Sequence, residues 1–494
     1  MTPFPQLLHA EWTKFRTIRG WVAGMIATAL MVVLVALLAG VSSDQHGAPP
    51  VPIGPGGEPV NDSFYFVHQP LTGNGSITIS VSSLTSSIAS GPADLRPGTV
   101  PWAKAGLIIK DGTRQGSPYA AIMVTGSQGV RMQDNYVNDT PGLPGPVSAT
   151  SVRWLRLDRS GDAITGYNST DGTHWTTVGA VRLEELGSTV QAGLFVASPD
   201  AVQGPGTVPT VATAVFADLR VQGGRLGDHW TGDQVGPESP SFAGSPPNPS
   251  GSVTESGGSI TVTGTGDIAP AVRASLGTAG TIADILTGTF PALIAVIVVG
   301  TLFITTEYRD LIHVTLAAGP RRSRVLAAKA TVLGTVTFTA GLAGAAIAIP
   351  LGGHLARVNG VYLFPATSST QLRIVLGTAA LLATASILAL AAGTLFRRSA
   401  GAVTAVTTVI VLPYLMVAQI PFIPAGVTDW LTRLTPAAAF AVQQTVVPYH
   451  QVASVYTPYN GYYPLAPWAG LAVLAGYALV SLAAAAVVLH RRDA

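Results

Sequence analysis

Apolar residues along this chain gather in six long blocks, at about 21–41, 285–306, 330–352, 373–396, 401–422 and 467–489. A helix rises about 1.5 Å per residue, so roughly 20 apolar residues cross a hydrocarbon core about 30 Å thick. Each block predicts a membrane-spanning helix. The first is longer than the roughly 7–15 apolar residues of a signal peptide, which predicts an uncleaved anchor. Pro413 interrupts the fifth, where a kink or re-entrant bend is expected.

The stretch between the first two blocks has a different period. Residues 43–60 are rich in Gly, Pro and Ser and read as a linker. Over 61–222, short β-branched and aromatic runs alternate with Gly, Asp, Asn and Pro clusters. Strands are predicted at 77–81, 105–110, 119–125, 152–158, 163–169, 176–181, 191–197 and 211–221. Regular short strands of this kind predict an all-β sandwich. Ser169-Thr170-Asp171-Gly172 supplies a hairpin turn, with Gly172 free to take positive φ. Residues 223–283 return to Gly, Pro and Ser and read as a second linker, with one further strand at 259–263. The stretch 425–465 carries Trp430, Tyr449, Tyr456, Tyr459, Tyr462 and Tyr463. Such residues favour the headgroup layer, so this loop is expected at the membrane surface.

Charge orients the spans. Lys14, Arg16 and Arg19 precede the first; Arg309, Arg321, Arg322, Arg324 and Lys329 lie between the second and third. Arg397 and Arg398 separate the fourth and fifth, and Arg491 and Arg492 follow the sixth. The short loops on the other side hold only Arg357, Arg373 and Arg433. An excess of Lys and Arg in short loops marks the cytoplasmic face. Both termini are therefore expected inside a bacterial cell membrane, with the β-domain outside. Overall the chain is 48% hydrophobic and 11% charged, with a net charge of +2. No nucleic-acid partner is expected from that balance.

Candidate chemistry is sparse. The chain has no cysteine, which excludes disulfides and thiolate sites. It contains no G-x-x-x-x-G-K-[ST] phosphate cradle and no H-E-x-x-H zinc motif. No spacing assembles a Ser-His-Asp triad, and no metal or cofactor site is expected. The spans hold almost no ionisable residues, which argues against an ion-coupled path. The segment 307–329, from Glu307-Tyr308-Arg309 to Arg321-Arg322 and Lys329, combines an amphipathic stretch with a Gly319-Pro320 stop. Two readings fit those residues: a docking helix for a partner protein, or an elbow whose arginines bind anionic headgroups.

Phe303-Ile304-Thr305-Thr306-Glu307-Tyr308-Arg309, Thr315-Leu316 through Pro320-Arg321-Arg322, and Val325-Leu326-Ala327-Ala328-Lys329 resemble the signature of actinobacterial ABC-2 type permease subunits. The opening Ala10-Glu11-Trp12-Thr13-Lys14-Phe15-Arg16 is similar to their N-terminal elbow, here residues 1–20. The resemblance implies a six-span permease that pairs with a second copy, homodimer or heterodimer. A separate cytoplasmic ATP-binding subunit would energise it, holding ATP and Mg. It assigns Glu307, Tyr308, Arg309, Arg321 and Arg322 to coupling with that subunit, and Glu11, Trp12, Lys14 and Arg16 to the elbow. It favours docking over the lipid reading, with membrane lipid remaining a partner.

The long insertion departs from simple members of that family. Its pieces Trp102–Lys110, Trp154–Asp162, Tyr167–Trp175 and Ala192–Val196 resemble concanavalin A-like, LamG-type jelly rolls of the DUF1349 kind. That resemblance implies a jelly-roll sandwich and candidate glycan contacts at Trp102 and Trp175. Trp154, Leu155 and Leu157 read as sandwich core. The expected function is an exporter permease without enzymatic activity of its own. The alternative is a membrane-anchored receptor or adhesin that binds envelope glycan.

Overall fold

In the computed structural model, the described residues are 4–47, 49–91, 94–184, 186–204, 206–226, 229–236, 251–277, 279–310, 322–420 and 422–492. The chain divides into two compact units. One is helical: Met1–Pro49, Gly277–Val447 and Tyr456–Ala494. The other is built of strands: Pro50–Leu276 together with Pro448–Val455.

The helical unit contains α1 (Phe4–Thr17), α2 (Arg19–Ser42), the short α3 (Ile282–Ile285), α4 (Thr289–Asp310) and α5 (Arg322–Val358). After these come α6 (Ser368–Phe396), α7 (Ser399–Gln419), α8 (Ala425–Leu434) and α9 (Pro467–Arg492). Six stretches are long and apolar enough to cross a membrane: Arg19–Ser42, Ile282–Tyr308, Ser323–Val358, Ser368–Phe396, Ser399–Gln419 and Pro467–Arg491. They cover the six apolar blocks. α7 runs on through Pro413 as one helix.

Burial ranks these helices. In its most apolar window α6 is 72% buried, against 22% for α2 and 17% for α9, so α6 is the central helix. α4 packs closely on it because Gly300 has no side chain: a Cβ there would lie 2.7 Å from the Ser386 carbonyl oxygen. Helical periodicity is plain in α2. Met25, Thr28, Val32, Ala36 and Gly40 are buried, whereas Ile26, Leu30, Leu34 and Leu38 form an exposed apolar stripe. Residues 436–443 form a buried 3-10 segment among the helices, with Phe440 stacked on Tyr414 at 3.8 Å. Its Gln443 donates to Thr289 Oγ1 and Thr378 Oγ1 at 3.0 and 3.1 Å. This part of the 425–465 loop is thus packed inside the unit, because its Ala-rich run has no polar face to present to headgroups. Trp430, on α8, is exposed.

The β unit is organised by one 26-residue strand, Phe64–Ala89. Its first part pairs with Thr189–Ala197 and Thr231–Val235. Its later part pairs with Arg153–Ser160 and Thr210–Leu226. Gly73, at φ +79°, lies between the two parts. From the first part the sheet continues through Lys104–Lys110, Tyr119–Thr125, Val130–Asp134 and Asn138–Pro141. From the second it continues through Ala163–Ser169 and Thr176–Arg182. Inward-facing residues of both parts share one core: Leu107, Ile109, Ile122 and Leu194 from one side, Ile77, Ile79, Leu155, Leu157 and Phe216 from the other. Alternation of buried residues on paired strands is the signature of a two-layered sandwich.

The first layer is buried on its other face too, by Phe64, Phe66, Ile108, Tyr119, Met123 and Phe195 together with Val60 and Ile268. The ribbon of Val60–Asp62 and Ile268–Pro270 supplies the last two. Strands therefore extend beyond the expected 61–222. Thr231–Val235, Gly251–Ser256, Ser259–Gly264 and Ile268–Pro270 all lie in the stretch read as a linker. Ser259–Gly264 pairs back onto Ala212–Ala217, as the extra-strand expectation had it. Gly172 takes φ +72° in the turn after Ala163–Ser169.

Candidate functional site

α1 is a short amphipathic helix that ends at Thr17, where the chain turns into α2. Its buried residues are Glu11 and Phe15, one turn apart. Phe15 packs edge-on to Phe303 of α4 at 5.8 Å, and Trp21 of α2 lies 4.9 Å from the same ring. This aromatic wedge brings the Glu11 carboxylate down to the ends of α4 and α5.

Four charged groups meet there. Lys329 Nζ, on α5, lies 2.7 Å from Glu11 Oε2 and 2.5 Å from Glu307 Oε1, on α4. Lys14 Nζ completes the set at 3.3 Å from both Glu11 Oε1 and Glu307 Oε1. Lys329 is 1% exposed, Glu11 3% and Glu307 6%, so the pairing is desolvated. The Lys329 ammonium also sits over the Phe303 ring at 4.7 Å. Two carboxylates and two ammonium groups balance, which is what lets them be buried together. Lys14 is half-buried. Burial works against its charge, but Glu11 and Glu307 outweigh that and hold its pKa above the ordinary lysine value. Glu307 Oε2 is buried and makes no hydrogen bond among the described residues.

A neighbouring contact extends the cluster. Tyr308 follows Glu307, and the Arg397 guanidinium lies over its ring at 5.3 Å. Arg397 caps α6 in the left-handed region, φ +57°. One end of the helical unit thus collects α1, the end of α4, the start of α5 and the α6–α7 connection. At the other end, Gln45 N–H donates to the Asn359 carbonyl at 2.9 Å, joining α2 to the end of α5. Phe364 N–H donates there to the Gly280 carbonyl at 3.0 Å. The segments that charge assigned to one face therefore gather at one end.

Three residues singled out from sequence, Glu11, Lys14 and Glu307, are brought together here, with Tyr308 adjoining. Trp12 and Arg16 are exposed. Trp12 lines an apolar groove of about 350 Å³ with Leu8, His9 and Val332. Arg321 and the side chains of Arg309 and Arg322 lie outside the described residues. Lys329 was counted as a charge and quoted in the permease signature, but was given no role. The signal that could have found one is its place between two apolar stretches of one helix, Val325-Leu326-Ala327-Ala328 and Ala330 to Leu333.

The β unit tests the glycan contacts. Trp102 is 4% exposed. Its ring is held edge-on to His450 at 5.4 Å, with the Arg131 guanidinium over it at 5.5 Å. A sugar platform needs an open aromatic face, so Trp102 is a packing residue and the expectation for it is corrected. Trp175 is partly exposed in the loop before Thr176–Arg182. The unit also buries two lysines on the outer face of its first layer. Lys110 Nζ bonds Asp62 Oδ2 at 2.8 Å, the Ser117 carbonyl at 3.0 Å and Tyr136 Oη at 2.9 Å. Desolvation lowers the Lys110 pKa, with Asp62 opposing it. Lys104 Nζ lies 2.6 Å from Asp267 Oδ1. Both pairs fasten the Val60–Asp62 and Ile268–Pro270 ribbon to the sheet. Among the described residues no three His, Cys, Asp or Glu side chains gather as a metal site.

No family model matches the chain, and no curated protein does. Among solved structures, one of scytalido-glutamic peptidase with a transition state analog inhibitor is similar over 41% of this chain and 98% of its own, at 11% identity and TM-score 0.27. A functionally unknown protein from Saccharomyces cerevisiae is similar over 34% and 77%, at 13% identity and TM-score 0.22. A GH43 protein from Bacillus licheniformis covers 25% of this chain and 24% of its own, at 13% identity and TM-score 0.17. At those scores the likenesses carry no argument about function.

Proposed function

We propose that this chain is the permease subunit of an ABC-2 type exporter, energised by a separate cytoplasmic ATP-binding subunit. The supporting observation is the Glu11–Lys14–Glu307–Lys329 cluster. It locks the elbow helix α1 to the end of α4 and the start of α5, which hold the two ends of the segment 307–329 that the family resemblance assigns to coupling. A push on that segment passes into α4 and α5 through a charge-balanced joint rather than through loose loops. In this reading α1 and the α6–α7 connection lie at the cytoplasmic face, the β unit lies outside, and the exposed stripe of α2 meets lipid or a second permease copy. ATP and Mg bind in the partner, and this chain contributes the pathway.

The test is co-purification with the co-encoded ATP-binding protein, followed by ATPase and transport assays in proteoliposomes. The expected result is ATPase activity that responds to the permease and transport that is lost in Lys329→Met. A chain that neither binds such a subunit nor depends on ATP would sink the reading. Specific glycan binding without transport would then favour the receptor alternative.

A further inference from the structure

The second part of the β unit contains a cleft that neither the permease reading nor the glycan expectation uses. It has a volume of about 730 Å³, within the roughly 300–1,000 Å³ range of small-molecule sites. Its floor is apolar, with Leu219 and Ile260, both partly exposed and packed on the sandwich core. One wall is the indole of Trp230, half-buried and packed on that same core. The rim carries two carboxylates, Asp218 and Glu255.

Asp218 is placed there at some cost. It sits at φ +54°, the left-handed region, which non-glycine residues seldom occupy, although Asp and Asn tolerate it best. The pairing of its strand with Phe64–Ala89 jumps at this point from Ala217–Ser80 to Arg220–Thr78, a bulge that turns Asp218 out of the ladder. Ser80 Oγ secures it, donating to Asp218 Oδ2 at 3.0 Å and to the Ala217 carbonyl at 3.1 Å. Glu255 comes from the Gly251–Ser256 and Ser259–Gly264 hairpin, whose turn glycines Gly257 and Gly258 both have positive φ. Among the described residues, no Lys, Arg or His lines the cleft. The nearby Arg220 guanidinium is engaged over the Trp154 ring at 5.7 Å.

An apolar floor, an aromatic wall and two carboxylates without a lining cation define a complementary ligand. We propose that this cleft binds an organic ammonium ion with an apolar body. The hydrocarbon would lie on Leu219 and Ile260, and the cationic head between the Trp230 face and the carboxylates. A neutral sugar would match the indole but leave both negative charges uncompensated. The inference does not depend on the permease reading, so either can fail alone.

The experiment is calorimetric titration of benzyltrimethylammonium into the full chain in phosphatidylcholine nanodiscs, with empty nanodiscs subtracted. The expected result is saturable binding, weakened about tenfold by the double change Asp218→Asn and Glu255→Gln and by added salt. Asparagine keeps an acceptor for Ser80 and tolerates the same φ, and thermal unfolding checks that the variant folds. Glu255→Gln alone, on an exposed turn, should weaken binding by about threefold. Absence of binding by the native chain, or binding unchanged in both variants, overturns the proposal. Maltotriose that binds competitively and ignores both variants would overturn it as well, since the cleft would then recognise a neutral polyol.

Discussion

Lys329 is held by two carboxylates that are almost wholly buried. Removing one partner from a buried ion cluster costs about 3–5 kcal/mol, because the opposite charges stay behind. Lys329→Met should therefore lower the unfolding midpoint of the detergent-solubilised chain sharply. Adding Glu307→Gln should recover part of the loss by rebalancing Glu11 against Lys14. A Lys329→Met chain as stable as the native one would show that the cluster is not a joint. At the other extreme of exposure, Asp171 Oδ2 lies 2.7 Å from His174 Nδ1. Asp171 also accepts the backbone N–H groups of His174 and Thr173, both at 2.8 Å. These bonds hold the carboxyl well below its ordinary range, and the carboxylate in turn raises the His174 pKa above 6.5. The sign follows. The pair's contribution is full between the unfolded carboxyl and unfolded histidine values, is lost as pH rises through the folded histidine value, and is lost again as pH falls through the depressed carboxyl value. An NMR titration should place His174 above 6.5, and Asp171→Asn should bring it back down. An unchanged value in Asp171→Asn would mean that the pairing is not made in solution.

At the scale of elements, the strand Phe64–Ala89 serves both layers of the sandwich and changes partners around Gly73. A Cβ at Gly73 would meet nothing within 4 Å, so only its φ of +79° resists substitution. Gly73→Val should therefore cost about 1–2 kcal/mol of stability, through backbone strain alone. Equal stability in a thermal unfolding comparison would show that the strand bends elsewhere. The same strand marks what could be read from sequence. Its Ile77–Val81 run alternates and was legible. Its Phe64–His68 start is buried on both faces and so has no period-two signal. The six apolar helices were legible from the length of their apolar runs, and the eight expected strands from β-branched and aromatic runs bounded by turn residues. Within 223–276 the run 259–263 was legible, whereas Thr231–Val235 and Gly251–Ser256 were hidden because their Gly, Ser and Thr give pairing without an apolar pattern. Lys104 and Lys110 were hidden differently. They lie in runs that read as apolar strand, and their acids, Asp267 and Asp62, are remote in sequence. The candidate site divides in the same way. Lys14 and Glu307 stood out as charges at the ends of apolar blocks and Glu11 through the resemblance of the elbow, but the 318-residue separation of Lys329 from Glu11 has no sequence signature.

For the whole molecule, the notable feature is that the β unit is not continuous in sequence. Besides Pro50–Leu276 it includes Pro448–Val455, which follows α8 and precedes α9. That octapeptide is built into the sandwich. Gln451 is 4% exposed, and its Nε2 donates to the Val137 carbonyl at 2.9 Å. His450 meets the Trp102 ring. Asn135 and Tyr136 both take left-handed φ, at 43° and 69°, which presents the carbonyls of this turn for capture. Side-chain clamps of this kind are worth about 0.5–1.5 kcal/mol per hydrogen bond, with the edge-on contact of His450 on Trp102 added. The chain therefore enters the β unit twice, and its second visit lies between two helices of the other unit. Residues 50–276 expressed alone should be less stable than the complete unit, with Trp102 uncovered. A synthetic peptide spanning 446–457 should raise the unfolding temperature of that fragment in a concentration-dependent way, as any ligand of the native state does. Replacing its glutamine, in the manner of Gln451→Ala, should weaken the effect. A fragment indifferent to the peptide would show that Pro448–Val455 rests on the sandwich without holding it.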